Sequence, residues 1–264
     1  MSDQKLLFFD IDNTLWNRDN HIPESTVTAI RTARKAGHKA FICSGRCRGY
    51  IQAPSLLGIG FDGIVSGCGT MIEDLNRNEI LFYHRMDPLL TEHTILTCRS
   101  FGYKPILEGR EYLYFDDADF GQDPYGHKLI RELGDHRRGI REEWGRWECS
   151  KLSCDSSAGD RAACHEALQK DFHFIIHNSS VVEMVPQGYT KGTGVLKVCE
   201  LFGVDPRDTV SFGDSVNDLE MLQTTAESVV MGGGDERAKA VATYITDDLM
   251  QDGIFKACRR LGLI

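Results

Sequence analysis

Two aspartates two residues apart, Asp10 and Asp12, close an apolar run from Leu6 to Phe9, and a hydroxyl, Thr14, stands two residues further on. A continuous apolar run reads as a strand buried on both faces of a parallel sheet. Carboxylates at its carboxyl end do not pack, and that end of an open α/β sheet is where ligands bind. If strand geometry persists through Asp12, both carboxylates point to the same side. Two close anions repel, so the pair calls for a cation or a shared proton. The plainer alternative is a strand followed by an Asp-Asn turn.

Three more polar clusters end or follow apolar runs. Ser44 and Arg46 come after Lys39 to Cys43, Lys191 opens a helical stretch, and Gly213-Asp214-Ser215-Val216-Asn217-Asp218 follows Thr209 to Phe212. The last is the most specific, because two carboxylates flanking an asparagine are costly to bury without a cation. Carboxylate oxygens and a few waters suit Mg²⁺, which keeps octahedral oxygen coordination. An Asx-rich loop capping a helix at Leu219 is the structural alternative. Gly192 and Gly194 follow Lys191 as in a phosphate-cradling loop, but no G-x-x-x-x-G-K-[ST] pattern exists, so a P-loop is not supported.

The elements that must position these residues follow from periodicity. Val27, Ile30 and Ala33 recur at helical spacing after Pro23-Glu24-Ser25, and Gly37 ends that helix. Gly63 to Ser66 predicts a third strand, and Met71 to Glu73 with Glu79 to Tyr83 a hairpin. Lys191 to Phe202 predicts a helix presenting Val195, Leu196, Cys199 and Phe202 on one face. Strands Thr209 to Phe212, Val229 to Met231 and Tyr244 to Thr246 complete an alternation that argues for a parallel sheet with right-handed crossovers. From Met86 to Pro186 the texture changes to helices mixed with antiparallel-looking strands: Lys104 to Leu107, Glu111 to Phe115, Cys149 to Cys154, Phe172 to His177 and Val181 to Val185. The expected fold is therefore α/β, with a catalytic core of residues 1–85 and 187–264 and an inserted α+β domain over 86–186.

The chain has 264 residues, 41% hydrophobic and 26% charged, which is ordinary for a soluble globular protein. A net charge of -9 disfavours nucleic acid and anionic membranes as partners. Neither a signal peptide nor a membrane span is visible, so a cytoplasmic protein is expected. Nine cysteines without a C-x-x-C pair read as buried free thiols rather than disulfides or a zinc site.

The four clusters together resemble, in order, the four motifs of the haloacid dehalogenase superfamily of phosphohydrolases: Asp10-Ile11-Asp12-Asn13-Thr14, Ser44, Lys191, and Gly213 to Asp218. The insert resembles the large cap of the Cof-type subfamily, and Glu183 to Gly192 is similar to that subfamily's approach to its lysine. The resemblance implies a Rossmann-like parallel core and an aspartyl-phosphate mechanism. Asp10 would be the nucleophile, and Asp12 the acid that protonates the leaving oxygen and then the base that activates water. Asp10, the backbone carbonyl of Asp12, and Asp214 would hold Mg²⁺, with Asp218 supporting. Ser44 would bond the phosphoryl group, Lys191 would balance charge, and Asn217 would orient the phosphate; apart from the resemblance, Thr14 is a further candidate substrate contact, and Arg46, close behind Ser44, is either a contact to phosphate or substrate or a surface arginine. Two positions depart from the pattern. Asn13 stands where glycine is common and tolerates the same backbone angles. Cys68 stands where an asparagine is usual and cannot supply that amide's hydrogen bonds.

In the insert, Glu108, Arg110 and Tyr112 flank a turn that could face the core site, and His177 and Asn178 are similar candidates. The reading is a Mg²⁺-dependent phosphomonoesterase for a small phosphorylated metabolite, a sugar phosphate first, in a monomer or weak homodimer. The rivals are a sugar-phosphate phosphomutase and a phosphate-sensing module resembling a response-regulator receiver. Chain length, Asp12 and the insert argue against the latter.

Overall fold

The computed structural model describes residues 4–121, 124–176 and 180–264. They form two compact units: Met1–Gly45, Gln52–Phe82 and Tyr189–Ile264 make the first, and Arg46–Ile51 with Tyr83–Gly188 the second. The strands in chain order are β1 (Leu6–Phe9), β2 (Lys39–Cys43), β3 (Gly63–Ser66), β4 (Met71–Asp74), β5 (Glu79–Tyr83), β6 (Lys104–Glu108), β7 (Leu113–Tyr114), β8 (Arg137–Arg138), β9 (Lys151–Asp155), β10 (Phe172–Ile176), β11 (Val181–Pro186), β12 (Thr209–Gly213), β13 (Glu227–Val230) and β14 (Tyr244–Ile245).

In the first unit eight strands lie in the order β14-β13-β12-β1-β2-β3-β4-β5. The six from β14 to β3 run parallel, and β4 turns antiparallel to β3. β1 is central, and all four of its residues are buried. Leu6 and Phe8 face a cluster with Phe41, Cys43, Val65, Val195, Val198 and Met221, whereas Phe9 stacks on Phe212 with ring centroids 4.5 Å apart. That two-sided burial is why the run has no polar alternation. From β1 the chain builds outward to β2 and β3, then returns to the other side of β1 as β12. The β1/β12 junction is therefore the switch point, whose carboxyl end opens a crevice.

The helix Glu24–Lys35 buries Thr26, Ala29, Ile30 and Ala33, while Val27, expected inside, is only half-buried. The helix Lys191–Phe202 starts and stops as expected. Thr190 accepts from the Thr193 N–H at 3.1 Å and Thr193 Oγ1 accepts from the Thr190 N–H at 2.9 Å, a reciprocal cap. Its inward face is Val195, Val198 and Cys199; Leu196 is exposed, because apolar identity alone misplaced the face by one position. Gly192 and Gly194 do not cradle an anion in a loop but lie in the helix, where they allow close approach. A Cβ on Gly194 would meet Val65 Cγ1 at 2.6 Å, and one on Gly192 would meet the carbonyl oxygen of Glu220 at 2.7 Å.

In the second unit six strands lie in the order β10-β11-β9-β6-β7-β8. The pairs are antiparallel except β7 with β8. Alternation sorts β9: Leu152 and Cys154 join the apolar cluster with Ile95, Cys98, Cys164 and Leu168. Lys151 instead makes buried ion pairs with Glu108, at 3.5 Å, and with Glu183. The strand expected over Glu111 to Phe115 shrinks to Leu113–Tyr114. All nine cysteines are free and buried. No helix among the described residues is long and apolar enough to cross a membrane.

The glycine packing sets the first test. Gly192→Ala gains up to about 1 kcal/mol of helix propensity but overpacks against backbone, which costs about 1–3 kcal/mol. A net loss is expected, read as a lower urea midpoint with unchanged slope. A raised midpoint would show that the helix is not held against Glu220.

Candidate active site

Four loops of the first unit converge at the carboxyl ends of β1, β2 and β12 and at the start of the helix Lys191–Phe202. Asp10 directly follows β1, and its N–H donates to the Phe212 carbonyl at 2.9 Å, which ties it to β12. Lys191 Nζ lies 2.6 Å from Asp10 Oδ1 and 2.6 Å from Asp218 Oδ1, and all three side chains are buried. Asp218 is fully committed, because its Oδ2 also accepts from the N–H groups of Asp214 and Ser215, each at 3.0 Å. Asp10 Oδ2, by contrast, accepts no hydrogen bond among the described residues. Among the described residues the Asp214 carboxylate has only long contacts, from Thr14 Oγ1 and Asn13 Nδ2, both at 3.4 Å.

Carboxylate oxygens of Asp10, Asp214 and Asp218 lie within 4.8 Å of one another, a donor set for a hard divalent cation. Since both oxygens of Asp218 are occupied, Asp10 and Asp214 are the residues with oxygens to offer, and Asp218 acts by orienting its neighbours. Electrostatics gives the same answer. Burial first, then the charge of Asp218, raises Asp10 well above the carboxylate range despite Lys191. Asp214 is pushed up to about 7 by burial, followed by the charge of Asp218. Burial alone would lower Lys191, but Asp10 and Asp218 outweigh it and keep the ammonium charged. One buried cation is thus too little for the carboxylates around it.

Asp12 departs from the expected strand geometry. β1 stops at Phe9, and the chain turns so that the N–H groups of Thr14, Leu15 and Trp16 all approach the Ile11 carbonyl, at 3.4, 2.9 and 3.2 Å. Asn13 makes the reversal possible at φ 57°, as its side chain allows. Asp12 is half-buried, and its Oδ1 accepts from Trp16 Nε1 at 3.1 Å. Asp12 and Asp10 therefore occupy different environments rather than one strand face. Trp16 was not legible as a site residue, since a tryptophan after a leucine reads as core.

Ser44 is buried at the end of β2, where its N–H donates to Val65 O at 2.9 Å and its carbonyl accepts from the Cys68 N–H at 3.0 Å. Cys68 sits at φ 54° between Gly67 and Gly69, also at positive φ. Asn217 Oδ1 accepts from Ser215 Oγ at 2.6 Å. Arg46 belongs to the second unit, where its guanidinium lies 4.4 Å from the Tyr50 ring centre. Glu108, Arg110 and Tyr112 are also engaged within that unit. Glu108 accepts from the Cys47 N–H at 3.4 Å, Arg110 pairs with Glu111 at 2.8 Å, and Tyr112 lies under the Arg138 guanidinium. His177 and Asn178 lie outside the described residues. A cavity of about 330 Å³ opens beside Asp214, lined by Asn13, Asn17, Arg18, Met231 and Gln251 among others.

Comparison with known proteins gives this geometry relatives. The family model for haloacid dehalogenase-like hydrolases matches residues 7–258. The chain is 28% identical to the 5-amino-6-(5-phospho-D-ribitylamino)uracil phosphatase YcsE of Bacillus subtilis, over 97% of this chain and 95% of that one. It is 25% identical to the HMP-PP phosphatase of Escherichia coli O157:H7, over 91% and 89% of the two chains. The solved structure of the subclass IIB sugar phosphatase BT4131 superposes with a TM-score of 0.81 at 25% identity, covering 98% of this chain and 100% of that one.

Asp214, alongside Asp10, gives the cation-free protein a pH dependence. The folded pKa of Asp214, about 7, exceeds the ordinary 3.8, so between those values the folded state keeps a proton that the unfolded state has lost. The stability from this group is complete below the unfolded value and is lost as pH rises through about 7. In chelator, the urea midpoint should fall more steeply from pH 5 to 8 for the parent than for Asp214→Asn. Equal slopes would remove Asp214 as a source.

Proposed function

This chain belongs to the haloacid dehalogenase-like hydrolases and is a phosphatase, and we propose that it is a Mg²⁺-dependent phosphomonoesterase acting on a small phosphorylated metabolite, a sugar phosphate first. The observation that carries the mechanism is the asymmetry of Asp10: Oδ1 is tied to Lys191, and Oδ2 is left to react. Asp10 and Asp214, with the backbone carbonyl of Asp12, would hold the cation, and Asp218 would support them. Bound there, Mg²⁺ supplies positive charge for the developing phosphoryl transition state.

Asp10 Oδ2 attacks phosphorus, an Oδ2–P bond forms, and the bond to the ester oxygen breaks. Asp12 gives that oxygen its proton. A water then attacks phosphorus, Asp12 takes its proton, and the Oδ2–P bond breaks to release phosphate. Lys191 keeps Asp10 aimed throughout, opposes the burial that favours its protonated form, and offsets charge brought in by the phosphate. Thr14, Ser44 and Asn217, grouped around the same strand ends, are the proposed phosphoryl contacts. Burial pushes the Cys43 thiol far up, so it stays neutral beside Lys191 and does not compete as a nucleophile. The inserted unit is proposed as the cap that selects the substrate body. Relatives named as a 5-amino-6-(5-phospho-D-ribitylamino)uracil phosphatase, an HMP-PP phosphatase and a sugar phosphatase support a small organic phosphate and leave its identity to that unit.

Two outcomes test this reading. Excess chelator should abolish phosphate release and Mg²⁺ restore it, with Ca²⁺ a poor substitute because it prefers more ligands and looser geometry. Asp12→Asn removes two proton transfers, each contributing roughly 10²–10⁴-fold. With p-nitrophenyl phosphate, whose leaving group needs no proton, rapid mixing should give a burst of about one equivalent and then slow turnover. Asp10→Asn should give no burst. Identical behaviour of the two variants would refute the division of roles.

A further inference from the structure

We propose that Trp16 is a positioning residue that holds the Asp12 carboxyl group in one orientation through its Oδ1 atom. The inference rests on the reading of Asp12 as the acid–base group. Trp16 Nε1 donates to Asp12 Oδ1 at 3.1 Å, and the indole is buried with only 4% of its surface exposed. The backbone of the same two residues forms a bridge, so the four-residue separation is closed at both main-chain and side-chain level. The turn that closes it depends on Asn13 at φ 57° and on the convergence of three N–H groups on Ile11.

The chemistry of the indole gives the bond its consequence. Its N–H donates and cannot accept. The carbonyl oxygen of a carboxylic acid is its better acceptor, so the indole bond favours the orientation in which Oδ1 faces Trp16 as the carbonyl oxygen and Oδ2 carries the proton. The terminal torsion of an aspartate is broad and nearly two-fold, so without a partner either oxygen can take the proton. Fixing Oδ1 removes that degeneracy. The same oxygen then gives the proton to the leaving group and later takes one from water, with no rotation between the steps. The plainer reading is that Trp16 fills the core and its N–H needs any acceptor. A backbone carbonyl would serve that purpose. Here the acceptor is a half-buried carboxylate at the residue assigned the proton transfers.

Core filling and positioning predict different substrate dependence. Trp16→Phe removes the N–H, and β-(3-benzothienyl)alanine at this position replaces the N–H by sulfur while keeping the bicyclic shape, which guards against a folding defect. Rates for an alkyl phosphate, which needs the proton, are compared with the p-nitrophenyl phosphate burst, which does not. The alkyl-to-aryl ratio should fall by about tenfold or more in both variants, a part of the full acid–base contribution. KM for the alkyl ester should move by less than about twofold. In the cation-free protein, the Trp16 indole proton resonance should move upfield and exchange faster in Asp12→Ala. Equal losses for both ester types, no loss in either, or an unmoved indole resonance would overturn the proposal. If Asp12→Asn itself fails to discriminate the esters, the acid–base assignment falls and this inference with it. If Asp12→Asn discriminates and the Trp16 variants do not, only the inference falls.

Discussion

The buried ammonium of Lys191 between Asp10 and Asp218 is the interaction on which the site depends. Removing three charged groups from water costs several kcal/mol per ion, and mutual attraction offsets this only when geometry is good and remaining lone pairs are satisfied. Both Lys191 contacts are 2.6 Å, and Asp218 takes two backbone N–H groups on its other oxygen. The one lone-pair set left over belongs to Asp10 Oδ2. Among the described residues it is the one carboxylate oxygen of this network without a partner, which is why it is the atom proposed to attack.

The sheet order explains how three distant segments meet at that network. Asp10 comes from the end of β1, Asp218 from the loop after β12, and Lys191 from the first position of a helix. β1 and β12 are neighbours although about two hundred residues separate them in sequence, with Phe9 paired to Phe212. That register sets Asp10 and Gly213 level, and the Asp214 loop opens directly beside Asp10. The helix reaches this edge because Gly192 and Gly194 let it approach Glu220 and Val65 more closely than a methyl group permits. Stability and function share these contacts.

Asp10, Lys191, Asp214 and Asp218 were legible because each is a charged residue at the end of a strongly patterned element, where packing cannot explain it. The strands of the first unit were legible for the same reason, since two-sided burial writes unbroken apolar runs. Side-chain partners were less so. Arg46 drew attention by standing two residues after Ser44, yet the chain passes into the second unit at that very residue. Hydrophobicity without the helix's phase places Leu196 and Val27 inward, whereas Leu196 is exposed and Val27 half-buried. The helix Gly253–Arg260 went unread: it begins after Asp252 at φ 62°, and no side chain caps its start. The Trp16–Asp12 bond depends on a local turn whose shape no periodicity records.

The same turn resolves a conflict that the proposed double displacement places on the motif. A double displacement asks one carboxylate to stay ionised and attack, while another gives up a proton and takes one back. Two aspartates on one strand face would share an environment and compete for those roles. Ending β1 at Phe9 and reversing the chain at Asn13 separates them. Asp10 stays buried against a lysine, and Asp12 moves to a half-buried position against an indole. On the proposed mechanism, environments that differ within three residues would let chemically identical groups take the roles of nucleophile and acid–base. The short apolar strand therefore contributes as much by where it stops as by what it buries.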